Sequence, residues 1–500
     1  MVQPEKKNYL PHMLIVAWLL LCIPIFVASV PPFIDYPNHL ARCFMLAHPG
    51  GGYEQYFQPD WALLPNLALE LIVVPLAKIL PIALAGKLFL AILFGVSVYS
   101  GARLNKTLSG QWSVMGLASA LLVYNRILSY GFLSYLFGVA LLPLALALHI
   151  ENRDQPKKRL AYDLILGAIL FVSHLAAFAL FVLCAFVYDY VRNRAEKESK
   201  RRIVRDVLGL MIPVVIAGAL LVFASPTASQ ASHMHFNLMA KPKLFLSIMQ
   251  TGIGIADYAF VGGCVVFLAY LAFKEEVAVA KYILPVLGVV FLLFLIAPDT
   301  FKDSRFMDAR LPVALGALFL AALKPAKGFN EKVAAYAIGA LLLFRVGTST
   351  MSYAKWSKSL ASVEQDTKLI PPDSIVLNTK EGTYGFADLD GWEPRLRFQE
   401  DSLLSRQPDY IQDIFTFKGQ QPLTNTPPYD QINTPTALGE VNEQVLNDYL
   451  YQAAHDLNGL GLANQPIFVY YIKESTKLPP ITQAEVLVDR PHYAILRIKN

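Results

Sequence analysis

Charged residues are scarce in this 500-residue sequence: Asp, Glu, Lys and Arg make up only 16% of it, against about a quarter in soluble globular proteins. The net charge of +5 is too small to indicate a nucleic-acid partner. No G-x-x-x-x-G-K-[ST], helix-opening G-x-G-x-x-G or H-E-x-x-H motif is present. ATP, dinucleotide and zinc-protease chemistry therefore have no support. The four cysteines are scattered, without a disulfide or metal spacing, at Cys22, Cys43, Cys184 and Cys264.

Apolar residues dominate instead, at 55% of the chain. Many of them fall in windows long enough to approach the thickness of a bilayer. The sequence therefore predicts a mainly α fold, a polytopic transmembrane helix bundle of about eleven spans. The predicted spans are residues 11–30, 85–102, 113–124, 132–149, 160–173, 175–191, 204–224, 258–273, 282–297, 310–323 and 333–349.

The distribution of basic residues orients these spans, because cytoplasmic loops carry an excess of Lys and Arg. The longest basic run, residues 192–205, then faces the cytoplasm, as does the N-terminus. This orientation holds only if the apolar segment 62–83, which contains three prolines, Glu70 and Lys78, does not cross the membrane. We expect 62–83 to form one or two juxtamembrane helices on the outer surface; the alternative is a twelfth span.

The first outward loop, residues 31–84, begins with the densest group of chemically active side chains, PPFIDYPNHLAR at 31–42. A carboxylate at the water boundary can accept a proton from a hydroxyl, so Asp35 is the candidate catalytic residue. Its alternative roles are a helix cap or an ion pair with Arg42. The neighbouring candidates for substrate or lipid-phosphate binding are Asn38, His39 and Arg42.

A second cluster, APDTFKDSRFMDAR at residues 297–310, opens the tenth predicted span. Cations at the bilayer boundary can hold a lipid phosphate, and arginine offers bidentate geometry. Lys302, Arg305 and Arg310 are therefore candidate phosphate-binding residues, with a neutralised loop of ion pairs as the alternative. Arg310 is the strongest, because a charge that enters an apolar helix is costly unless it has a function.

Three further polar residues lie in outward loops. Arg126 stands among aromatic residues and suits a lipid headgroup, or alternatively an interfacial anchor. His233 and His235 form an H-x-H pair, but no carboxylate lies close in sequence, so a substrate-side loop is favoured over a metal site. Neither a metal site nor a cofactor is predicted, and metal dependence is left open.

From residue 353 the composition becomes mixed and polar, which predicts a second domain, a small extracytoplasmic α/β domain at 353–500 after a bundle at 1–352. We expect strands within 369–378, 459–474 and 492–500 and a helix at 440–457. The composition of residues 379–435 predicts irregular loops. Four side chains there could contact a sugar, although turn and core roles are favoured: Tyr384, Asp388, Asp390 and Trp392.

This arrangement resembles the GT-C superfamily of integral-membrane glycosyltransferases, with arabinose- or mannose-transferase-like architecture. The matching features are Asp35 after the first span, juxtamembrane helices at 62–83, late outward arginines and an outward C-terminal α/β domain. The first loop lacks an adjacent Asp-Glu pair, and W-W-D-Y-G is absent, which disfavours protein N-glycosylation.

The resemblance implies an inverting transferase in the bacterial inner membrane, with its C-terminal domain in the periplasm. It would take a sugar from a polyprenyl-phosphate donor to a lipid, glycan or protein acceptor, in contact with membrane lipid. Carried over by position, Asp35 would be the general base, and Arg305 or Arg310 would steady the lipid phosphate. The alternatives are an O-antigen-type polymerase or ligase, a transporter, and a non-catalytic scaffold of envelope synthesis.

Overall fold

The structure is a computed structural model that describes residues 9–226, 234–301, 304–382, 389 and 393–499. Within these ranges the chain is mainly α-helical, as predicted. The α-helices are α1 (Leu10–Val27), α2 (Tyr36–Ala47), α3 (Ala68–Ala77), α4 (Ile82–Ser109), α5 (Arg126–Tyr130), α6 (Leu133–Glu151), α7 (Pro156–Ser173), α8 (Leu175–Ala195), α9 (Lys200–Phe223), α10 (Lys241–Leu246), α11 (Ile255–Phe273), α12 (Leu284–Ile296), α13 (Met307–Ala322), α14 (Glu331–Asp366), α15 (Glu393–Leu396) and α16 (Glu443–Gly459).

The transmembrane bundle is confirmed, but with fewer long spans than predicted. In the described ranges seven helices are long and apolar enough to cross a membrane, namely α1, α4, α6, α8, α9, α11 and α14. The other predicted spans form shorter or more polar elements. Segment 113–124 is the 3₁₀ helix Val114–Leu122, and α7 starts with basic residues. The 13-residue α12 would cover about 20 Å at 1.5 Å per residue.

The bundle is arranged around α6. In its most apolar window 83% of the residues are buried, compared with 22% for α9, which lies at the periphery. Close packing of α4 depends on small residues: Gly101 faces Ser119 so closely that an added Cβ would lie 1.9 Å from the hydroxyl oxygen. The amino-terminal end of α6 is the end that carries the candidate site described below.

Residues 31–84, the first loop predicted to face outward, contain two short α-helices, α2 and α3. α3 has ten residues, which reach about 15 Å, half of the hydrocarbon thickness of a bilayer. A juxtamembrane position therefore suits α3 better than a twelfth span. The prediction of a loop over 31–42 is wrong from Tyr36 onward, where α2 begins. Pro37 falls in the first turn of α2, where its fixed φ and missing N–H are tolerated.

The C-terminal part forms the predicted α/β unit. In the part of the chain that the structure describes, the strands are β1 (Phe57–Pro59), β2 (Met234–His235), β3 (Val277–Val279), β4 (Thr300–Phe301), β5 (Ser304–Arg305), β6 (Leu323–Pro325), β7 (Ile375–Lys380), β8 (Tyr410–Ile411), β9 (Leu423–Asn425), β10 (Ile467–Ile472), β11 (Ala484–Asp489) and β12 (Tyr493–Ile498). Five of them form one sheet in the order β11-β12-β10-β7-β8, with β7 parallel to β8 and β10. Strands β8 and β11 of this sheet lie outside the predicted strands, β8 within the stretch 379–435 predicted as irregular loops, and α14 continues past residue 352 to Asp366.

The α/β unit is fastened to the first outward loop. Strand β1 pairs with β9 in antiparallel register, Phe57 opposite Asn425. The Tyr53 hydroxyl donates to the carbonyl oxygen of Leu404 at 2.8 Å. These contacts bring the segment after β8 onto α2, so residues more than 350 positions apart in sequence meet at one place.

Candidate functional site

A polar cavity of about 190 Å³ lies where α2, α6, α13 and the C-terminal loop after β8 converge. It contains four of the residues that the sequence singled out, together with residues from distant segments. The lining residues are Asp35, His39, Arg42, Asn66, Phe132, Leu133, Ser134, Tyr135, His174, Arg310, Phe415, Phe417, Gln420 and Gln421.

Asp35 stands at the N-cap position of α2, but its side chain makes no capping hydrogen bond. The helix-cap alternative is therefore not what the structure shows, and the carboxylate lines the cavity instead. Its backbone N–H donates to the carbonyl oxygen of Tyr130 at 3.1 Å. Gly131 permits this approach, because a Cβ at that position would lie 3.0 Å from the Cβ and 3.0 Å from the nitrogen of Asp35.

The electrostatic environment of Asp35 suits a proton acceptor near neutral pH. Burial raises the pKa of this carboxyl to about 7, while the positive charges of Arg397, Arg310 and Arg42 oppose that rise. A general base works best when its pKa lies near the operating pH. Asp35 can therefore hold and release a proton under physiological conditions.

Arg42 forms its ion pair with Glu70 of α3, not with Asp35. Both side chains are 1% exposed, and Arg42 Nε donates to Glu70 Oε1 at 3.2 Å. His39 Nδ1 accepts from Arg42 Nη2 at 3.0 Å, and His39 Nε2 donates to the carbonyl oxygen of Gly131 at 3.1 Å. Burial and the charge of Arg42 lower the pKa of His39, so its imidazole is neutral. Among the described residues Arg42 Nη1 has no hydrogen-bond partner, and Arg42 lines the cavity.

Arg310, in the first turn of α13, also lines the cavity. Its guanidinium stacks on the ring of Phe132 at 4.4 Å, and its Nη1 lies 3.1 Å from His174 Nε2. The Tyr135 hydroxyl donates to the carbonyl oxygen of Arg310 at 2.9 Å, which fixes the start of α13 against α6. Aromatic faces thus hold a cation at 8% exposure beside the cavity that contains Asp35.

Asn38 does not line the cavity but is hydrogen-bonded to the loop after β8 that does. This loop contributes Phe415, Phe417, Gln420 and Gln421 and is called the C-terminal roof. Its Nδ2 donates to the carbonyl oxygen of Asp413 at 2.7 Å, and its Oδ1 accepts from Phe415 N at 3.1 Å. Asn38 is fully buried, so these two bonds satisfy an amide that has no access to water. They fix the loop that places Phe415 and Phe417 in the cavity wall.

Several predicted candidates lie away from this cavity. Arg126 Nη1 donates to Gln250 Oε1 at 2.8 Å, and Arg126 stacks on Tyr130. The backbone carbonyl of Arg305 accepts from Arg310 Nη2 at 3.2 Å, while Arg305 itself is exposed. The exposed His235 pairs with Asp299 at 2.8 Å. The candidates outside the described residues are Lys302, His233, Tyr384, Asp388, Asp390 and Trp392.

Sequence reasoning missed the contribution of residues 395–421. Arg397 is the first of the three cations that act on Asp35. Burial also raises the pKa of Asp413 to about 7, and the charge of Arg397 opposes that rise. Gln421 lines the cavity at 7% exposure, and its Oε1 has no hydrogen-bond partner among the described residues. The sequence predicts irregular loops here, and no periodic signal marks which loop residues will meet α2.

The described residues contain no group of three or more His, Cys, Asp or Glu side chains arranged to hold a metal ion. The charged side chains that line the cavity are one carboxylate, Asp35, and two arginines, Arg42 and Arg310. Arg42 and Gln421 both line it, and each has a buried polar atom without a hydrogen-bond partner among the described residues. The cavity therefore suits a ligand that carries both an anionic group and hydrogen-bonding groups.

Comparison with known proteins bears on the fold. No protein-family profile and no curated protein sequence matches the chain. Among solved structures, ArnT from Cupriavidus metallidurans bound to undecaprenyl phosphate aligns with 98% of this chain and 98% of its own, at a TM-score of 0.54 and 10% identity. Apo ArnT of the same organism aligns with 98% of this chain and 97% of its own, at a TM-score of 0.52 and 10% identity. The chain therefore shares its fold with these two ArnT structures, as the sequence resemblance led us to expect.

Proposed function

We propose that this protein is a membrane glycosyltransferase that moves a sugar from a polyprenyl-phosphate donor to a lipid, glycan or protein acceptor. Asp35 is the general base. The observation that carries the proposal is the placement of Asp35: a cavity-lining carboxylate, free of its N-cap bond and opposed by arginines, in a chain with the fold of ArnT. One of the two ArnT structures has undecaprenyl phosphate bound, which supports the choice of donor class.

In the proposed reaction Asp35 takes the proton from an acceptor hydroxyl. The acceptor oxygen attacks the anomeric carbon, the bond from that carbon to the phosphate oxygen breaks, and polyprenyl phosphate leaves with the electron pair. Attack opposite the leaving group inverts the anomeric centre. The rise in the pKa of Asp35 to about 7 makes it a stronger base than an exposed carboxylate while leaving it largely ionised above that pH.

The leaving phosphate needs cations, and two arginines that line the cavity supply them, Arg42 from α2 and Arg310 from α13. Arg310 is held in place by Phe132 and the carbonyl of Arg305, and Arg42 has an Nη1 without a protein partner among the described residues. Pre-positioned donors stabilise developing negative charge without reorganising during the reaction. Of the two late arginines that the sequence proposed for the phosphate, the geometry favours Arg310, which lines the cavity, over the exposed Arg305.

The C-terminal roof supplies groups suited to a sugar. Aromatic rings pack on the apolar faces of sugar rings, and amides bond to hydroxyls. Phe415 and Phe417 supply the aromatic rings, and Gln420 and Gln421 supply the amides. We place the donor sugar between this roof and Asp35.

The setting we propose is the bacterial inner membrane, with a cytoplasmic N-terminus and the C-terminal domain in the periplasm. The α/β unit lies at the same end of the bundle as Asp35, so both face one compartment. A division into a bundle at 1–352 and an extracytoplasmic domain at 353–500 fits this arrangement, with α14 as the continuous link.

A donor-side experiment tests the proposal. Purified full-length protein would be incubated with a panel of polyprenyl-phosphate sugars and an envelope extract, and free polyprenyl phosphate would be quantified. We expect release by wild type. We expect Arg310→Gln to weaken donor binding by about 30-fold or more, the cost of truncating a desolvated charge partner, whereas Arg305→Gln is nearly neutral. The proposal would be overturned if wild type released no polyprenyl phosphate from any donor. It would also be overturned if Arg310→Gln and Arg305→Gln lost donor binding equally.

A further inference from the structure

A second cavity, of about 500 Å³, lies between α7 and α9. It is at the opposite end of the bundle from Asp35. α6 begins at Leu133, beside the Asp35 cavity, and its 19 residues carry the chain about 28 Å along its axis. The last turn of α6 holds His149, which pairs with Asp163 of α7 at 2.9 Å, and Asp163 lines the second cavity.

The charged lining of this cavity is mainly basic. The two acidic residues are already engaged: Asp163 with His149, and Asp206 with Arg205 at 3.0 Å. Lys157 and Arg201 are exposed, and neither forms an ion pair within the described residues. The charged lining residues are Lys157, Arg159, Asp163, Arg201, Arg205 and Asp206. The cavity therefore presents an excess of positive charge.

Arg159 forms the buried floor of the cavity. It is 5% exposed and pairs with Asp189 of α8. Its Nη1, however, has no hydrogen-bond partner among the described residues, and Asp206 Oδ1 lies 3.6 Å from it. A buried guanidinium N–H without an acceptor is costly, and an anionic oxygen in the cavity would satisfy it.

The remaining walls of the cavity are apolar and face outward from the bundle. Val204, Leu208 and Ile212 of α9 line it and are 55%, 61% and 41% exposed. Next to it lies a groove of about 450 Å³ between α8 and α9, lined by apolar side chains such as Phe178 and Met211. Leu210 lines both spaces. A cationic opening thus adjoins an apolar groove along α9, the least buried of the long helices.

We propose that this cavity binds the headgroup of an anionic phospholipid, with an acyl chain in the groove between α8 and α9. Basic pockets between transmembrane helices recognise anionic headgroups by charge. Here the phosphate meets Arg159 from inside and Lys157 and Arg201 from the rim. The site is separate from the Asp35 cavity and does not depend on the glycosyltransferase proposal. The lipid fills the space beside the least buried of the long helices and holds α9 to α7.

Native mass spectrometry of the full-length protein in detergent doped with phosphatidylglycerol tests this site. We expect wild type to retain phosphatidylglycerol in preference to phosphatidylcholine. Each basic residue near an anionic headgroup contributes about fivefold in affinity. The double variant Lys157→Gln/Arg201→Gln should therefore lose about 30-fold. Both residues are exposed, so the variant should fold normally, and its thermal midpoint would be measured to verify this.

Lys274→Gln/Lys332→Gln is the matched control, since it removes the same charge from exposed positions that do not line the cavity. We expect it to bind phosphatidylglycerol as wild type does. Equal affinity of wild type for phosphatidylglycerol and phosphatidylcholine would overturn the proposal. Equal loss in both double variants would overturn it as well, because it would indicate attraction by overall charge without a specific site.

Discussion

Adding a single methyl group at Gly131 tests directly whether the position of Asp35 controls the reaction. Its φ of +89° lies in the left-handed region, and a Cβ there would come within 3.0 Å of both the Cβ and the nitrogen of Asp35. Gly131→Ala therefore has two costs. The left-handed backbone costs an alanine about 1–2 kcal/mol, and the contact forces Asp35 to move by several tenths of an ångström.

Gly110→Ala separates these two costs. Gly110 ends α4 with a φ of +81°, and a Cβ there would meet nothing within 4 Å. Both variants should therefore show a similar loss of thermal stability from the backbone alone. Only Gly131→Ala displaces the carboxylate. Because a misplacement of 1 Å can cost about 100-fold in rate, we expect its turnover to fall by about 10- to 100-fold.

The assay measures release of polyprenyl phosphate from the accepted donor by both variants, alongside their thermal midpoints in the same detergent. Gly110→Ala should keep a turnover close to that of wild type. If the two variants had the same turnover after correction for folded fraction, the position of Asp35 would not control the reaction, and the reasoning would be refuted.

Four further outcomes are expected. Glu70→Gln leaves Arg42 buried without its partner, which should lower the free energy of unfolding by about 3–5 kcal/mol in chemical denaturation; an unchanged midpoint would contradict this. Since the pKa of Asp35 is raised to about 7, the base is protonated at lower pH, so turnover should rise with pH through 7. Arg397→Gln removes a charge that lowers this pKa and should move the rise to higher pH; a shift to lower pH would oppose the account. Asn38→Ala removes both bonds to the C-terminal loop, so limited proteolysis should cut that loop faster than in wild type.

The sequence was most informative where apolar runs and local chemistry coincide. The spacing of apolar residues predicted the helical bundle, and the polar residues of segment 31–42 predicted a site with Asp35, His39 and Arg42, which the structure brings into one cavity. Hydropathy was a poorer guide to span number. It does not distinguish a helix that crosses the bilayer from a buried 3₁₀ segment such as Val114–Leu122.

The partners of these residues could not be predicted, because they depend on long-range packing. Glu70 lies in segment 62–83, whose sequence pattern predicts only how the segment is placed relative to the membrane. In the structure, however, Glu70 forms the ion pair that neutralises Arg42. Arg397, Phe415 and Gln421 come from a stretch without periodicity, and the pairing of β1 with β9 is what brings that stretch to α2. Short strands of this kind leave almost no signal in a single sequence.

The central claim, that Asp35 is the base of a polyprenyl-phosphate-dependent transfer, is tested most directly by Asp35→Asn. Turnover and donor binding would be measured on the same preparation, with Asp430→Asn, an exposed carboxylate outside the cavity, as the matched control. The account predicts that Asp35→Asn binds the donor but does not release polyprenyl phosphate, while Asp430→Asn behaves as wild type. Turnover by Asp35→Asn at the wild-type rate would contradict the account.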